Sequence, residues 1–383
     1  LYNKQGEGEK ESKKMKKVLA IFLVLILSMT AMVGCGGGDE PGGNGEAPED
    51  VTTVGFLYIG TITDGGYNQA QHMGAMAVEE HFGGAVKVLY AENVAEDKQA
   101  VKTNAINMID SGASIIIGTS FGHMDGLEEL ASEYPEVTFL HFSGYKMNDT
   151  NFGNYFGAME EARYLSGIVA GMMTKTNKLG YIAAYDYTEV LIGINSFFLG
   201  AKSVNPDVTM NVVYINSWGD AALEQAAAES LLAQGCDVLT QHADTSAAQI
   251  AAEKVGAYAV GYNIDNSKVA PGSFLTAPIW HHEAYLIPTI EKIIAGEYVP
   301  ESYYGTMADG YIGLAPLTDL VSDEAKAEVE RVKAEIIAGD FPIFVGPLKD
   351  NEGNVVVEAG DALTERDEIW AINYVLEGIT AIQ

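Results

Sequence analysis

The sequence predicts an α/β protein of two similar lobes with a ligand cleft between them, and three observations carry that expectation. Short apolar runs alternate with helical segments, the pattern of a parallel sheet covered on both faces. The rhythm restarts after a long helix at about 161–174. Finally, the loops that follow the strands carry aromatics and carboxylates, where open α/β sheets hold their ligands.

In chain order, residues 15–38 come first (MKKVLAIFLVLILSMTAMVGCGGG). Lys16 and Lys17 precede ten apolar residues, Val18 to Leu27, and small residues then lead to Cys35. Ten residues cover about 15 Å as helix, about half a bilayer core, so the segment reads as a secretory signal and not a spanning helix. Residues 1–14 precede a better start at Met15 and read as an upstream extension. Residues 36–50, rich in Gly, Pro, Asp and Glu, read as a flexible spacer.

The body follows. Strands are expected at 54–60, 86–91, 114–120 and 136–142, with helices at about 67–81, 97–111 and 125–132. After the long helix come strand runs at 178–185, 208–216, 236–242, 258–263 and 274–280. Helices near 189–204, 220–234 and 246–255 separate them. Nearer the end, 310–318 reads as a strand and 322–338 as a charged amphipathic helix with Ser322 as N-cap. Residues 341–357 read as a strand pair around an Asn-Glu-Gly turn.

Charge narrows the partners. Residues 1–34 hold six lysines and three glutamates; the remaining 349 residues set 16 basic side chains against 50 acidic, a net of −34. So negative a surface disfavours nucleic acid and anionic lipid. Beyond Cys35 only Cys236 remains, so an intramolecular disulfide among the body's residues is excluded. Cys236 is expected to open a buried strand as a small apolar residue.

The pieces YIGTITDGGYNQ, NYFGAMEEARYLSGIVAGM, INSWGD, LLAQGCDVLTQHADTS and LTAPIW, in this order and spacing, resemble the basic membrane protein family of lipoprotein substrate-binding proteins. The resemblance runs from about Val54 to Gly346 and implies a type I periplasmic-binding-protein fold, two Rossmann-like lobes joined by hinge strands. The expected boundaries are 1–34 for extension and signal and 35–50 for a lipid-anchored linker. The N-terminal lobe is expected at 51–158 with about 283–320, and the C-terminal lobe at 159–282 with about 321–383. The MVGC sequence resembles a lipobox with Met32 in place of the preferred Leu, which implies lipidation of Cys35. The protein is therefore expected outside the cytoplasm, anchored to the bacterial cell membrane through lipid alone, and monomeric.

The resemblance also implies a site. Asp64 and Asn68 follow the first strand where family members place an Asp and often an Asn, able to bond ribose hydroxyls or a base N–H. Trp218, two residues before an Asp, matches the aromatic that stacks on a base, with Phe121 on the opposite face. Asn263 and Asp265 stand where nucleoside binders carry two acids. The departure is Trp280: the nucleoside branch places a lysine there, near the ribose, whereas this chain reads LTAPIW. An indole occupies the room of a sugar and offers one donor, which favours a free base, adenine first, over a purine nucleoside.

Other readings stay open for several of these residues. Asp64 lies in TDGG, good turn chemistry. Asp244 either contacts ligand or caps the helix beginning near Ser246. Tyr67 either lines the site or opens a helix, and Asn195 is a candidate at the cleft edge. His281 and His282 are adjacent and lack the i, i+4 spacing of a helical metal pair, so neither a metal nor a cofactor is expected. Gly60 to Gly65 match no phosphate-loop pattern. Three functions compete. The first is capture of a purine for an ABC permease and its ATPase, and the second is ligand sensing through a membrane receptor. The third is a nucleoside hydrolase using Asp64 and Asp265 as an acid/base pair, which no nucleophile or metal cluster supports. The expectation is a binding protein and not an enzyme.

Overall fold

The computed structural model describes residues 51–382; the signal, the spacer and Cys35 lie outside the described residues. The first lobe runs β1 (Thr52–Leu57), α1 (Tyr67–Phe82), β2 (Val86–Ala91), α2 (Lys98–Asp110), β3 (Ala113–Gly118), α3 (Met124–Glu133), β4 (Thr138–Phe142) and β5 (Phe152–Gly157). The chain continues through α4 (Met159–Met173), β6 (Lys178–Ala183), α5 (Thr188–Val204), β7 (Thr209–Tyr214), α6 (Ala221–Ala233), β8 (Val238–His242), α7 (Ala247–Val255), β9 (Tyr258–Val260) and β10 (Phe274–Thr276). It closes with β11 (Pro278–Trp280), α8 (Glu283–Ile294), β12 (Ser302–Gly305), β13 (Ile312–Leu314), α9 (Asp323–Ile337), the short α10 (Arg366–Ile369) and a terminal strand, Ile379–Ile382.

Two six-stranded sheets result. The first has the order β12-β5-β4-β3-β1-β2 and the second β10-β9-β8-β6-β7 followed by the terminal strand. Every pairing in both is parallel. The chain passes between the sheets after β5, after β11 and after β12, the connections about which the lobes can move. This is the α/β, type I solute-binding architecture that the alternating pattern and the resemblance predict. No described helix is long and apolar enough to cross a membrane.

Local chemistry accounts for the helix starts. Asp97 caps α2 by accepting from Ala100 N, Asp220 caps α6 by accepting from Ala222 N and Leu223 N, and Ser322 caps α9 through Ala325 N. Helix α4 is buried on nearly every side, as befits a helix between layers. It packs against α5 so closely that a Cβ on Gly167 would stand 2.0 Å from Phe197 O, and one on Gly200 1.9 Å from Tyr164 O. The glycines of SGIVAG and FFLG are thus there for backbone contact. Cys236 is buried, as expected, its Sγ 3.3 Å from Leu179 O, and burial pushes the thiol up to about 11.

The structure departs from the sequence reading in places. The single run expected at 274–280 breaks at Ala277, and β11 leaves the sheet to pair antiparallel with β13. Helix α8 has no counterpart in the sequence reading; Pro288 stands in its interior, where it removes a backbone donor. Strand β12 and the terminal strand, also unexpected, have four residues each, and β5 (FGNYFG) is interrupted by glycine and asparagine; all three find partners only through the sheet.

Candidate ligand site between the lobes

A cavity of about 630 Å³ opens where the carboxyl ends of both sheets meet. The first lobe supplies Tyr67 after β1, Glu96 after β2, Ser120 and Phe121 after β3, Phe142 at the end of β4 with Ser143 to Tyr145 beyond it, and Phe156 on β5. The second supplies Tyr185, Tyr187 and Glu189 after β6, Trp218 after β7, His242 and Asp244 at the end of β8, Tyr262 after β9, and Trp280 on β11. Arg366 and Trp370 come from the C-terminal segment.

Aromatic rings form the walls. Tyr185 and Tyr187 stack on each other at 4.9 Å with planes 7° apart, and Trp218 meets Tyr185 edge-on at 5.3 Å. On the opposite lobe, Phe121 lies in the short 3-10 turn Phe121–His123 with 52% of its surface open and Tyr145 beside it at 6.2 Å. Rings this exposed mark a surface built for contact. Trp280 is buried; its Nε1 donates to Asn263 Oδ1 at 3.0 Å, and its plane lies parallel to His282 at 5.7 Å. With its one donor committed, the indole shows the cavity only apolar surface.

Three carboxylates face this apolar box. Burial, followed by the charges of Asp64, Glu224, Glu189 and Glu96, holds the Asp244 carboxyl well above the usual range. Glu189 is pushed up to about 7 by burial and by Glu96. Glu96 accepts from Ser120 Oγ and from Gly122 N. His242 is held well below its ordinary range by burial and by Arg163, so its imidazole is neutral. The Arg163 guanidinium is itself fully buried, 3.7 Å above the Tyr262 ring, with Nη1 donating to Gln241 O at 2.8 Å. Among the described residues no cluster of three or more metal-ligating side chains occurs.

These shifts set a pH dependence of stability. Glu189, and Glu160 at the start of α4, which burial pushes up to about 8, ionise at higher pH when folded than when unfolded. Their contribution is fully present below about pH 4.5 and is lost as pH rises through 7 to 8. The melting temperature is expected to fall by several degrees between pH 5.5 and 8.5, at about 2 °C per kcal/mol. Because burial also raises Glu161 to about 7 and Glu224 to about 8, the Glu160→Gln, Glu189→Gln double variant should reduce that slope in a calorimetric pH series; an identical slope would assign it to other groups.

The cavity brings together Tyr67, Phe121, Trp218, Asp244 and Trp280 of the residues expected from sequence. Tyr67 does both things considered for it, opening α1 and lining the cavity, with its hydroxyl donating to Thr119 O. Asp244 lines the cavity, and Ser246 begins α7 without a side-chain cap. The other four lie outside the lining. Asp64 accepts from Gly66 N, Asn68 N, Gln69 N and Asn68 Nδ2, which holds the start of α1. Asn68 accepts from Gly60 N, Asn263 orients Trp280, and the exposed Asp265 closes a turn with Ser267 N. Asn195 is fully buried and bonds Tyr374 O and Leu376 N of the C-terminal segment.

Sequence reasoning did not single out Glu96, Tyr185, Tyr187, Glu189, His242 or Tyr262. Except for Glu96, they lie in the post-strand loops AAYDYTE, QHADTS and YNIDN, whose position after a strand is the signal that marks them. Nothing local marks Arg366 and Trp370, which follow no strand of the repeating pattern.

A family model described as ABC transporter substrate-binding protein, PnrA-like, matches residues 51–344. The chain is 35% identical over 331 residues to a purine-binding protein of Brucella abortus, covering 86% of this chain and 93% of that one. It is 32% identical over 314 residues to a putative ABC transporter glucose-binding protein of Haloferax volcanii, covering 82% and 79% respectively. Among solved structures, a solute-binding protein of an ABC transporter system from Aeropyrum pernix shares the fold at TM-score 0.67 and 18% identity, over 84% of this chain and 96% of its own.

Proposed function

We propose, since this chain belongs to the Bmp family of PnrA-like ABC transporter substrate-binding proteins, that it captures a purine outside the cytoplasm and delivers it to an ABC importer. Proteins of this family bind solutes and are not enzymes. The preferred ligand is adenine, and the protein is held to the membrane through lipid on Cys35. The observation that carries the ligand reading is a cleft whose aromatics come from both lobes, with the Asp244 carboxyl, which burial holds well above the usual carboxylate range, among them.

A flat base entering between Phe121 and Trp218 gains stacking on both faces, worth about 1–3 kcal/mol per base in single-strand binders. Burial favours the protonated form of Asp244, and a carboxyl in that form presents one donor and one acceptor, which pairs with the amino group and a ring nitrogen of adenine. An ionised carboxylate would instead suit the two adjacent donors of guanine. Ribose hydroxyls directed at Trp280 would find no partner, because its N–H is already given to Asn263. Ligand gripped by both lobes then favours the closed form.

A purine nucleoside is the second reading, favoured by the cavity volume, which exceeds what a base alone occupies. Isothermal titration of protein stripped of carried-over ligand separates the cases, with adenine, adenosine, inosine, guanosine and glucose as probes. Tight adenine with weak adenosine is the expected result. Tight nucleoside binding would replace the free-base reading. Glucose binding with silence from every purine would overturn the ligand class.

A further inference from the structure

The segment from Arg366 to Leu376 lies beyond the family match, which ends at residue 344, yet two of its side chains line the ligand cavity. Resting on the purine reading above, we propose that Trp370 is a specificity-determining residue of this site, a second tryptophan wall that disfavours a ribosyl substituent.

Trp370 is half-buried and held at two points. Its Nε1 donates to Tyr304 Oη at 3.2 Å, and its ring meets Phe156 edge-on at 5.5 Å. Tyr304 is held in turn, its hydroxyl 3.3 Å from both Glu160 oxygens and its ring 4.6 Å beneath the Arg366 guanidinium. Arg366 Nη1 reaches Ser302 Oγ at 3.3 Å, so the first lobe's outermost strand, β12, anchors this end of the segment.

The other end is anchored to the second lobe. The fully buried Asn195 of α5 donates to Tyr374 O at 2.8 Å and accepts from Leu376 N at 3.1 Å. The terminal strand then pairs in parallel with β7. A segment tied to both sheets sets Trp370 at the cleft with little freedom of its own, as a selective wall requires.

Phe156 touches both tryptophans, Trp280 at 5.3 Å and Trp370 at 5.5 Å. The three rings make one continuous wall, and both indole N–H groups are already donated within the protein. A substituent laid against these three rings meets carbon, so a polyhydroxylated sugar loses its water on that face without gaining partners from it. A flat base loses nothing. Two tryptophans, one inside the family match and one beyond it, thereby act on the same discrimination.

The test is the ratio of adenosine to adenine dissociation constants, measured by titration in wild type, Trp370→Ala and Trp370→Phe. The ratio is internal to each variant, so general destabilisation, followed by circular dichroism, does not move it. Opening the wall with alanine should lower the ratio about tenfold or more, chiefly by improving adenosine, and phenylalanine should lower it less. A ratio within twofold of wild type in Trp370→Ala, with adenine still bound by wild type, overturns this inference alone. A wild type that binds no purine overturns the purine reading and this inference with it.

Discussion

Replacing Gly66 with alanine should weaken ligand binding by about tenfold or more while leaving the melting temperature near that of wild type. Gly66 ends the loop after β1, and an added Cβ would stand 2.0 Å from Asp244 O and 2.7 Å from Asp244 C. Those atoms belong to the loop after β8, so the collision is between lobes and involves backbone, which cannot rotate away. Beside it, Asn266 Nδ2 donates to Gly65 O at 2.8 Å, a second link across the same seam. At Gly66 φ is −158° and ψ −111°, outside the left-handed region, and the atoms its Cβ would strike belong to the opposite lobe. Only the approach of the lobes is impeded. A loss of tenfold corresponds to about 1.4 kcal/mol taken from the closed form. Titration with the best wild-type ligand, together with a scattering radius with and without it, would show the effect. Unchanged affinity and unchanged compaction would mean that ligand is held without this contact.

The second large effect is expected from Trp218→Ala, a rise in the dissociation constant of roughly 5- to 150-fold. That range is the ~1–3 kcal/mol of one lost stacking face. The indole lies in the loop after β7, its backbone oxygen accepts from Asp244 N at 2.8 Å, and Asp220 two residues on caps α6. The loop is therefore fixed by groups other than the indole, and truncation removes the ring without releasing the backbone. Because a stacking face reads no substituents, adenine and adenosine should weaken by similar factors. This differs from Trp370→Ala, where the two ligands should diverge. Trp218→Tyr should recover part of the loss. Affinity unchanged in Trp218→Ala would remove this residue from the ligand contact.

The two sheets, their helices and their polarity follow from local features of the chain. Period and length separate the strands from the helices, and caps such as Asp97, Asp220 and Ser322 set the helix starts. Because parallel strands deliver their following loops to one edge, the sequence also places Tyr67, Phe121, Trp218 and Asp244 at the cleft. The expected site residues that lie outside the cavity lining are of one kind. Asp64, Asn68, Asn263 and Asp265 have short polar side chains, which satisfy backbone donors, turns or a neighbouring indole as readily as a ligand. Pattern alone cannot say which partner lies within 3 Å.

What folding adds depends on contacts distant along the chain. Asn195 meets Tyr374 and Leu376 about 180 residues away, and Trp370 meets Tyr304 and Phe156 across the lobes. Neither pairing has a period or motif, since each exists only after two separately specified layers have packed. The raised carboxyls of Asp244 and Glu189 have the same origin, because burial and like charge at the seam come from bringing the sheet edges together. The local code of this chain thus specifies two sheets and the loops between them. The closed set of walls that discriminates among ligands arises from packing, where partners are chosen by distance and not by sequence separation.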